Sequence, residues 1–299
     1  MAVLTLPELL SHPWVLAARP ATLSAAVGPV LIGSSSAWRD GDFAWLPFVV
    51  VLVAAVAIQI GVNYANDLAD AQSGADDENR IGPLRTVSSG LISESEMKRG
   101  IAAAFGVASL GGVYLIWYAG WPIAIIGAAS IIAALGYTNG PVPYGYRGFG
   151  EVFVFVFFGL VATAGTRYVF SPSVPAAVWT GGVVMGLLAA AILEANNIRD
   201  IDTDRDSGKK TLAVLLGRDR ARTLYAGTMG AAFAVIGFGA LTSLMPFPTI
   251  IALVVAPLSI PLVSTVYRET QGPPLIGVLK GTAQIQLFVG LLLALGIAF

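Results

Sequence analysis

The sequence predicts an all-α polytopic membrane protein with nine transmembrane helices in a bundle. Of the 299 residues, 56% are hydrophobic and only 12% are charged, and the mean hydropathy is +0.77. A soluble domain carries about 25% charged residues, so this chain cannot cover a water-exposed surface. The segments 43–66 and 101–146 contain no charged residue at all. These observations exclude a soluble enzyme, a disordered chain and a nucleic-acid-binding domain.

Nine segments are long and apolar enough to be predicted as membrane spans, since a helix needs about 20 mostly apolar residues to cross a bilayer. They cover residues 21–37, 46–65, 101–118, 121–138, 151–170, 176–193, 223–243, 248–266 and 281–298. We expect one membrane domain over residues 1–299. Two polar loops are predicted at about 66–99 and 194–222, and a shorter connection at 140–150 is rich in Gly, Pro and Tyr.

The charged residues predict the orientation of the bundle. With nine spans, every Lys and Arg except Arg39 and Arg167 lies on the side of the N-terminus, and so does every acid except Asp40 and Asp42. The positive-inside rule then places the N-terminus in the cytoplasm and the C-terminus outside. Arg39 and Arg167 are predicted to be charges of the outer surface. Ionisable groups at helix ends favour a site that opens at the cytoplasmic face over a path through the bilayer.

Two residue types restrict the chemistry. The chain has no Cys and one His, which is His12. This excludes disulfides, thiolate metal ligands, iron–sulfur clusters and any metal site built from several histidines. A bound metal must therefore take oxygen ligands, which favours Mg²⁺.

The first of two acidic clusters follows the second predicted span. If the helix continues, Gln59, Asn63, Asn66, Asp67 and Asp70 form one polar stripe on an apolar rod. Such a stripe at the end of a membrane helix is expected to face other helices or a cavity.

The second acidic cluster, at residues 194–206, ends the sixth span. Asn196, Asp200 and Asp204 are spaced at i, i+4 and i+8, which again is one helix face. Both clusters end even-numbered spans, so both are delivered to the same side of the membrane. Taken singly, each cluster is better explained as a solvated loop, and it is the matched positions of the two that favour a joint site.

Two Asn/Asp faces on one side can hold Mg²⁺ together with a diphosphate, because Mg²⁺ is usually bound by one or two carboxylates plus substrate phosphates. Nearby cations would neutralise the remaining charge of the diphosphate; the candidates are Arg85, Arg199, Lys209 and Lys210. The metal and the cations would then stabilise diphosphate as a leaving group. A transporter or a lipid-binding protein with regulatory acidic loops is the alternative of another class.

These motifs resemble a known family. Asn66-Asp67-x-x-Asp70 together with Asp200-x-x-x-Asp204 is similar to the paired aspartate motifs of the UbiA superfamily of intramembrane prenyltransferases. The resemblance implies nine transmembrane helices, Mg²⁺, a polyprenyl diphosphate donor and an aromatic acceptor. A common form of the first motif carries a third Asp where this chain has Gly74, and Asp76 lies two residues further on.

Three further runs look like the branch of this family that prenylates 1,4-dihydroxy-2-naphthoate in menaquinone synthesis. They are residues 77–85 with Ser89-Gly90, residues 140–151, and residues 196–204 with 208–213. The implied reaction gives demethylmenaquinone with loss of the carboxylate, in a bacterial cell membrane with the site facing the cytoplasm. Another acceptor, such as 4-hydroxybenzoate, a chlorophyllide or a haem, stays open.

The resemblance also implies roles for individual residues. Asp67 and Asp70 are expected to bind one Mg²⁺, and Asp200 and Asp204 the other, as the catalytic groups. The expected substrate contacts are Asn63, Asn66 and Asn197, the cations Arg85 and Lys209, and Tyr144 and Arg147 of the loop at 140–150. Glu151, next to that loop, could contact the acceptor. Tyr64, Tyr137, Tyr144 and Tyr146 could stabilise a carbocation or belong to an interfacial aromatic belt.

Overall fold

In the computed structural model, which describes residues 11–73, 85–138 and 143–299, the chain folds into helices joined by short turns, with no strand among these residues. The expectations for Gly74, Asp76 and the runs at 77–84 and 139–142 lie outside the described residues. The helices are, in chain order, α1 (Pro13–Ala18), α2 (Ser24–Asp40), α3 (Trp45–Ser73), α4 (Glu94–Ala119), α5 (Pro122–Gly136), α6 (Gly150–Phe170), α7 (Ala176–Arg199), α8 (Ile201–Asp206), α9 (Leu212–Leu216), α10 (Arg218–Leu241), α11 (Phe247–Arg268) and α12 (Pro273–Ala298).

Seven of these helices are long and apolar enough to cross a membrane by themselves, namely α3, α4, α6, α7, α10, α11 and α12. The segment Pro13–Thr22 and helix α2 would make an eighth span together, although they are bent by 52° relative to each other. Helix α5, over the fourth predicted span, has only 15 residues. Each of the nine predicted segments overlaps one of these helices, so the chain is an all-helical protein with several apolar spans.

Helix α7 lies at the centre of the bundle, because small residues allow its neighbours to approach closely. It packs against α2, α6, α10 and α12. Gly159 of α6 lies directly against α7: a Cβ at Gly159 would be 2.5 Å from the carbonyl oxygen of Gly182 and 2.5 Å from the Cα of Gly186. Residues 155–161 of α6 form a π-helical turn at this contact.

We expect Gly159→Ala to destabilise the bundle, because the methyl group would overlap backbone atoms of α7 that cannot move aside. Overpacking of this kind costs about 1–3 kcal/mol. Gly237→Ala in α10 is the matched control, since its new Cβ would meet only Leu253, at 3.9 Å. Thermal unfolding of both variants in detergent measures the effect, and equal midpoints would contradict the close α6–α7 packing.

The charges on the opposite side from the acidic clusters are arranged differently from the expectation. Arg167 is not a surface charge, because only 2% of its side chain is exposed. Its Nη2 donates to Asp40 Oδ2 at 2.8 Å and to Asp42 Oδ2 at 2.9 Å. A charge within a helix bundle persists only when it is paired, and the partners are Asp40, the last residue of α2, and Asp42, just after it.

Candidate active site

The two acidic clusters meet at one end of a single cavity of about 550 Å³. The C-terminal part of α3 provides one wall, and the end of α7 with the start of α8 provides another. Polar side chains from both line the cavity, together with residues of the intervening connections: Arg19, Thr22, Gln59, Asn63, Asn66, Asp70, Arg85, Tyr144, Tyr146, Asn196, Asn197, Asp200, Asp204, Lys209 and Thr211. The rest of the cavity is mostly apolar.

The expected common face of Asn196, Asp200 and Asp204 is present although the helix is interrupted there. Helix α7 ends at Arg199, and Asp200 joins it to α8. The hydrogen-bond ladder nevertheless continues, because Asp200 N donates to Asn196 O at 3.1 Å and Asp204 N donates to Asp200 O at 2.8 Å. All three side chains therefore line the cavity.

Asp70 is the point where three distant segments converge. Its Oδ1 accepts from Lys209 Nζ at 2.8 Å and from the Tyr146 hydroxyl at 3.1 Å. Its Oδ2 pairs with Arg85 Nη2. The carboxylate is buried, with 7% of the side chain exposed, so these charge-assisted bonds are made away from bulk water.

Lys209 connects the two acidic clusters. Its ammonium lies 2.8 Å from Asp70 Oδ1 and 3.9 Å from Asp204 Oδ1. The same ammonium lies 4.7 Å from the centre of the Tyr146 ring, in the geometry of a cation–π contact. The structure thus brings Arg85 and Lys209, both expected diphosphate contacts, to the carboxylates at one cavity end.

Asp200 is held by its neighbours in sequence. Arg199 donates through Nε to Asp200 Oδ1 at 2.7 Å and through Nη2 to Oδ2 at 2.5 Å. Arg199 Nη2 also donates to Asn196 Oδ1 at 2.9 Å. Both charged side chains are buried, so this two-point pair fixes the carboxylate beside the cavity.

Asp67 is the expected ligand that the structure turns away from the cavity. Its Oδ2 accepts from the backbone N of Thr86 at 3.2 Å and from the Thr86 hydroxyl at 3.3 Å, and its Oδ1 accepts from Val87 N at 3.1 Å. The carboxylate is almost fully buried and does not line the cavity. In this structure Asp67 positions the segment that carries Arg85, and its role as a metal ligand stays a prediction.

The three Asn residues expected at the site all line the cavity, and they differ in their hydrogen-bond partners. Asn63 Nδ2 donates to Ala18 O at 2.8 Å and to the Thr22 hydroxyl at 3.2 Å, so it holds the corner between α1 and α2. Asn197 Nδ2 donates to Glu151 Oε1 at 2.9 Å. Asn66 Oδ1 is buried without a hydrogen-bond partner among the described residues. An unsatisfied buried oxygen is costly, which suits a ligand atom for a cation.

The loop at 143–150 brings a tyrosine to the site that the sequence reasoning weighed only as an aromatic. Tyr146 binds Asp70 and Lys209, as described above, whereas Arg147 is exposed and does not line the cavity. Tyr144 lines the cavity, stacks on Phe153 with ring centres 3.9 Å apart and donates to Ala133 O. Burial raises the pKa of Tyr144 to about 12, so its hydroxyl stays protonated.

Glu151 does not line the cavity itself, and it contacts the site only by accepting the hydrogen bond from Asn197.

Arg19 lines the cavity, and the sequence reasoning missed it as a site residue. The backbone of Arg19 is left-handed, with φ 51°, a conformation that costs a non-glycine residue energy and is often retained at functional sites. Its position before Pro20 indicates a turn, but no sequence signal predicts a positive φ.

The donor set fits an oxygen-liganded divalent cation accompanied by an anion. Among the described residues, the charged side chains that line the cavity are three cations, Arg19, Arg85 and Lys209, and three carboxylates, Asp70, Asp200 and Asp204. As they stand, no three acidic or histidine side chains of the described chain form a metal-binding group. A divalent metal ion and a diphosphate added together would change this balance little, because their charges largely offset each other.

The fold and the site define an intramembrane helical protein with a charged cavity end and an apolar cavity body. The chain belongs to the UbiA prenyltransferase family, whose sequence model matches residues 26–275.

Relatives agree with this assignment. The chain is 40% identical to the 1,4-dihydroxy-2-naphthoate octaprenyltransferase of Mycobacterium tuberculosis, over 96% of this chain and 97% of that protein. It is 37% identical to the enzyme of the same name from Escherichia coli, over 96% and 95%. A UbiA homolog from Archaeoglobus fulgidus, solved with DMAPP and Mg²⁺, has the same fold, with a TM-score of 0.66 at 15% identity over 95% of this chain and 98% of that one.

Proposed function

We propose that this protein transfers a polyprenyl chain from a polyprenyl diphosphate to 1,4-dihydroxy-2-naphthoate, with loss of the carboxylate as CO₂. The observation that carries the proposal is the cavity: one end joins Asp70 and Asp204 through Lys209, and the remainder is apolar. A diphosphate ester of a long hydrocarbon has this distribution of charge. The relatives at 40% and 37% identity support the choice of acceptor by their names.

The residues that would hold Mg²⁺ are Asp70, Asp200 and Asp204, together with the side-chain oxygen Oδ1 of Asn66. The metal would supply electrostatic stabilisation of the departing diphosphate. Asp67 would place Arg85 through its bonds to Thr86 and Val87, and it would bind Mg²⁺, as the motif predicts, only if its carboxylate turned towards the cavity.

The chain's own cations bind and orient the diphosphate. Asp70 holds Arg85 and Lys209 at the cavity through its two ion pairs. When the donor binds, these cations would give up some of their contacts with Asp70 and bind diphosphate oxygens instead. The allylic C–O bond breaks with its electron pair on the diphosphate. Tyr144 and Phe153, which stack at the cavity wall, would face the carbon that becomes cationic, and the apolar lining excludes water from it.

The acceptor step balances without an oxidant. A C–C bond forms between the prenyl carbon and the ring carbon that carries the carboxylate, and a phenol proton is lost. The bond between the ring and CO₂ then breaks, its electron pair stays on the ring, and the phenolate takes up a proton again. The product is demethylmenaquinone at the quinol level, together with diphosphate. Asn197, held in place by its hydrogen bond to Glu151, would contribute to binding the acceptor.

For the arrangement in the membrane we propose nine spans in one domain, with Pro13–Asp40 as a bent first span and α5 as a short fourth span. The N-terminus would lie in the cytoplasm and the C-terminus outside, in the plasma membrane of a bacterium. The distribution of Lys and Arg between the connections supports this orientation. The charged end of the cavity would then open to the cytoplasm, where a soluble aromatic acid is available.

An acceptor panel tests the proposed function. Purified protein in detergent, with Mg²⁺ and octaprenyl diphosphate, should convert 1,4-dihydroxy-2-naphthoate labelled in its carboxylate into a prenylated quinol and labelled CO₂. Mass spectrometry of the product and trapped CO₂ are the two readouts. Excess EDTA should stop the reaction, and added Mg²⁺ should restore it.

The same panel separates the alternatives. Product with 4-hydroxybenzoate but none with 1,4-dihydroxy-2-naphthoate would overturn the acceptor assignment and leave the donor chemistry in place. Movement of a substrate across proteoliposomes without any product would favour a transporter. Turnover that is indifferent to EDTA would overturn the metal assignment.

A further inference from the structure

The apolar body of the cavity is long compared with its charged end. It runs along α3 from Asp70 to Val51, and Leu115, Ile123 and Val169 line its far part. Nineteen residues separate Asp70 from Val51, which is about 28 Å of helix axis at 1.5 Å per residue. The tract therefore extends through most of the thickness of a bilayer core.

Two glycines leave open space in the far part of this tract. Gly112 of α4 and Gly127 of α5 both line the cavity. A Cβ built at either position would have no heavy atom within 4 Å. Gly111 differs, because its Cβ would pack on Val50 at 3.3 Å and on Ala54 at 3.4 Å. Helix α4 thus turns Gly111 towards α3 and leaves Gly112 facing the cavity.

The packing of Gly111 also fixes the depth of this region. Gly112 lies at the level of Val50 and Ala54 on α3, and Ala54 is sixteen residues from Asp70, or about 24 Å along the helix. Gly127 lies five residues after the start of α5, at the same end of the bundle. Neither glycine is near the charged groups that would bind the diphosphate.

The wall at these glycines is one helix thick. Val113 follows Gly112, is 66% exposed and also borders the cavity, whereas Ile125 of α5 is 60% exposed and does not border it. A side chain added at Gly112 or Gly127 would project into the open space of the tract, since both glycines line it and no heavy atom lies within 4 Å of either Cβ position.

We propose that Gly112 and Gly127 set the longest prenyl chain that the cavity accepts, an inference that rests on the proposed function. A short donor reaches from Asp70 only into the first part of the tract and does not meet these positions. A donor of octaprenyl length, when extended, is longer than the tract and must pass them. Bulk at either glycine should select against long donors and leave the chemistry at Asp70 intact.

The test compares Gly112→Leu and Gly127→Leu with Gly106→Leu. Gly106 is the matched control, because it lies on α4, has no heavy atom within 4 Å of its Cβ position and does not line the cavity. Each protein is assayed with geranyl, geranylgeranyl and octaprenyl diphosphate and 1,4-dihydroxy-2-naphthoate. Gly127→Ala and Gly127→Val provide smaller steps in side-chain size.

The expected result is a loss that grows with donor length. For octaprenyl diphosphate, kcat/KM should fall by at least about tenfold in the two Leu variants, the size of effect that added methylenes produce in an apolar pocket. Geranyl diphosphate should be used within twofold of wild type, and its turnover reports that each variant is folded. Gly106→Leu should use all three donors as wild type does.

Two outcomes would overturn the inference. An equal loss for all three donors, or none for the longest, would mean that these glycines do not limit the chain. The proposed function fails separately: wild-type protein that forms no product from any donor would overturn both, whereas an active wild type with unaffected Leu variants would overturn the glycine assignment alone.

Discussion

Asp70→Asn should reduce turnover by roughly 100- to 1,000-fold, the loss that follows removal of one electrostatic contributor to a transition state, while diphosphate binding is kept or strengthened. The reason is that Asp70 pairs with Arg85 and with Lys209. Without the carboxylate both cations are released towards a diphosphate, but a metal ligand is lost. Steady-state kinetics should therefore give a strongly lowered kcat with an unchanged or lower KM for the donor, and a higher Mg²⁺ requirement.

Asp206→Asn is the control for Asp70, since Asp206 is an exposed acid at the end of α8. It should retain wild-type kinetics. Near-normal turnover of Asp70→Asn at saturating Mg²⁺ would remove Asp70 from the proposed metal site. A large rise in donor KM with unchanged kcat would instead assign it to ground-state binding.

Asp200→Asn should lose both stability and activity, and a second variant separates the two effects. The Arg199–Asp200 pair is buried, with 2% and 8% of the side chains exposed, so removing the acid leaves a buried guanidinium at a cost of roughly 3–5 kcal/mol. The double variant Arg199→Gln/Asp200→Asn removes both charges. It should regain most of the stability and none of the turnover.

Thermal unfolding and single-turnover assays measure these two quantities. The control is Glu94→Gln, which breaks the exposed Lys98–Glu94 pair at 3.7 Å and should change the stability by less than about 1 kcal/mol. Recovered turnover in the double variant would mean that Asp200 serves only to neutralise Arg199.

The second acidic cluster could be predicted from the sequence because its information is local. Spacings of i, i+4 and i+8 place Asn196, Asp200 and Asp204 on one helix face, and this face survives the interruption at Asp200. For the first acidic cluster, the sequence does not tell which carboxylate faces the cavity. Asp67 and Asp70 are three residues apart and differ by only about 60° around the helix, so spacing alone makes both candidates for the cavity.

Contacts between residues far apart in the sequence decide where such side chains point. Asp67 is turned to Thr86 and Val87, some twenty residues along the chain, and no local pattern encodes that pairing. Arg167 is similar, since its partner Asp40 is 127 residues away. Its sequence context is that of a surface charge beside a span, and only the assembled bundle shows that it is buried.

The pairing of Arg167 with Asp40 and Asp42 has a mechanical consequence. It ties α6 to the corner between α2 and α3 at the end of the bundle opposite the charged end of the cavity. Helices joined at one end can separate only at the other. Any widening between these three helices is therefore expected at the charged end, whereas the walls formed by α4 and α5 are not restrained by this pairing.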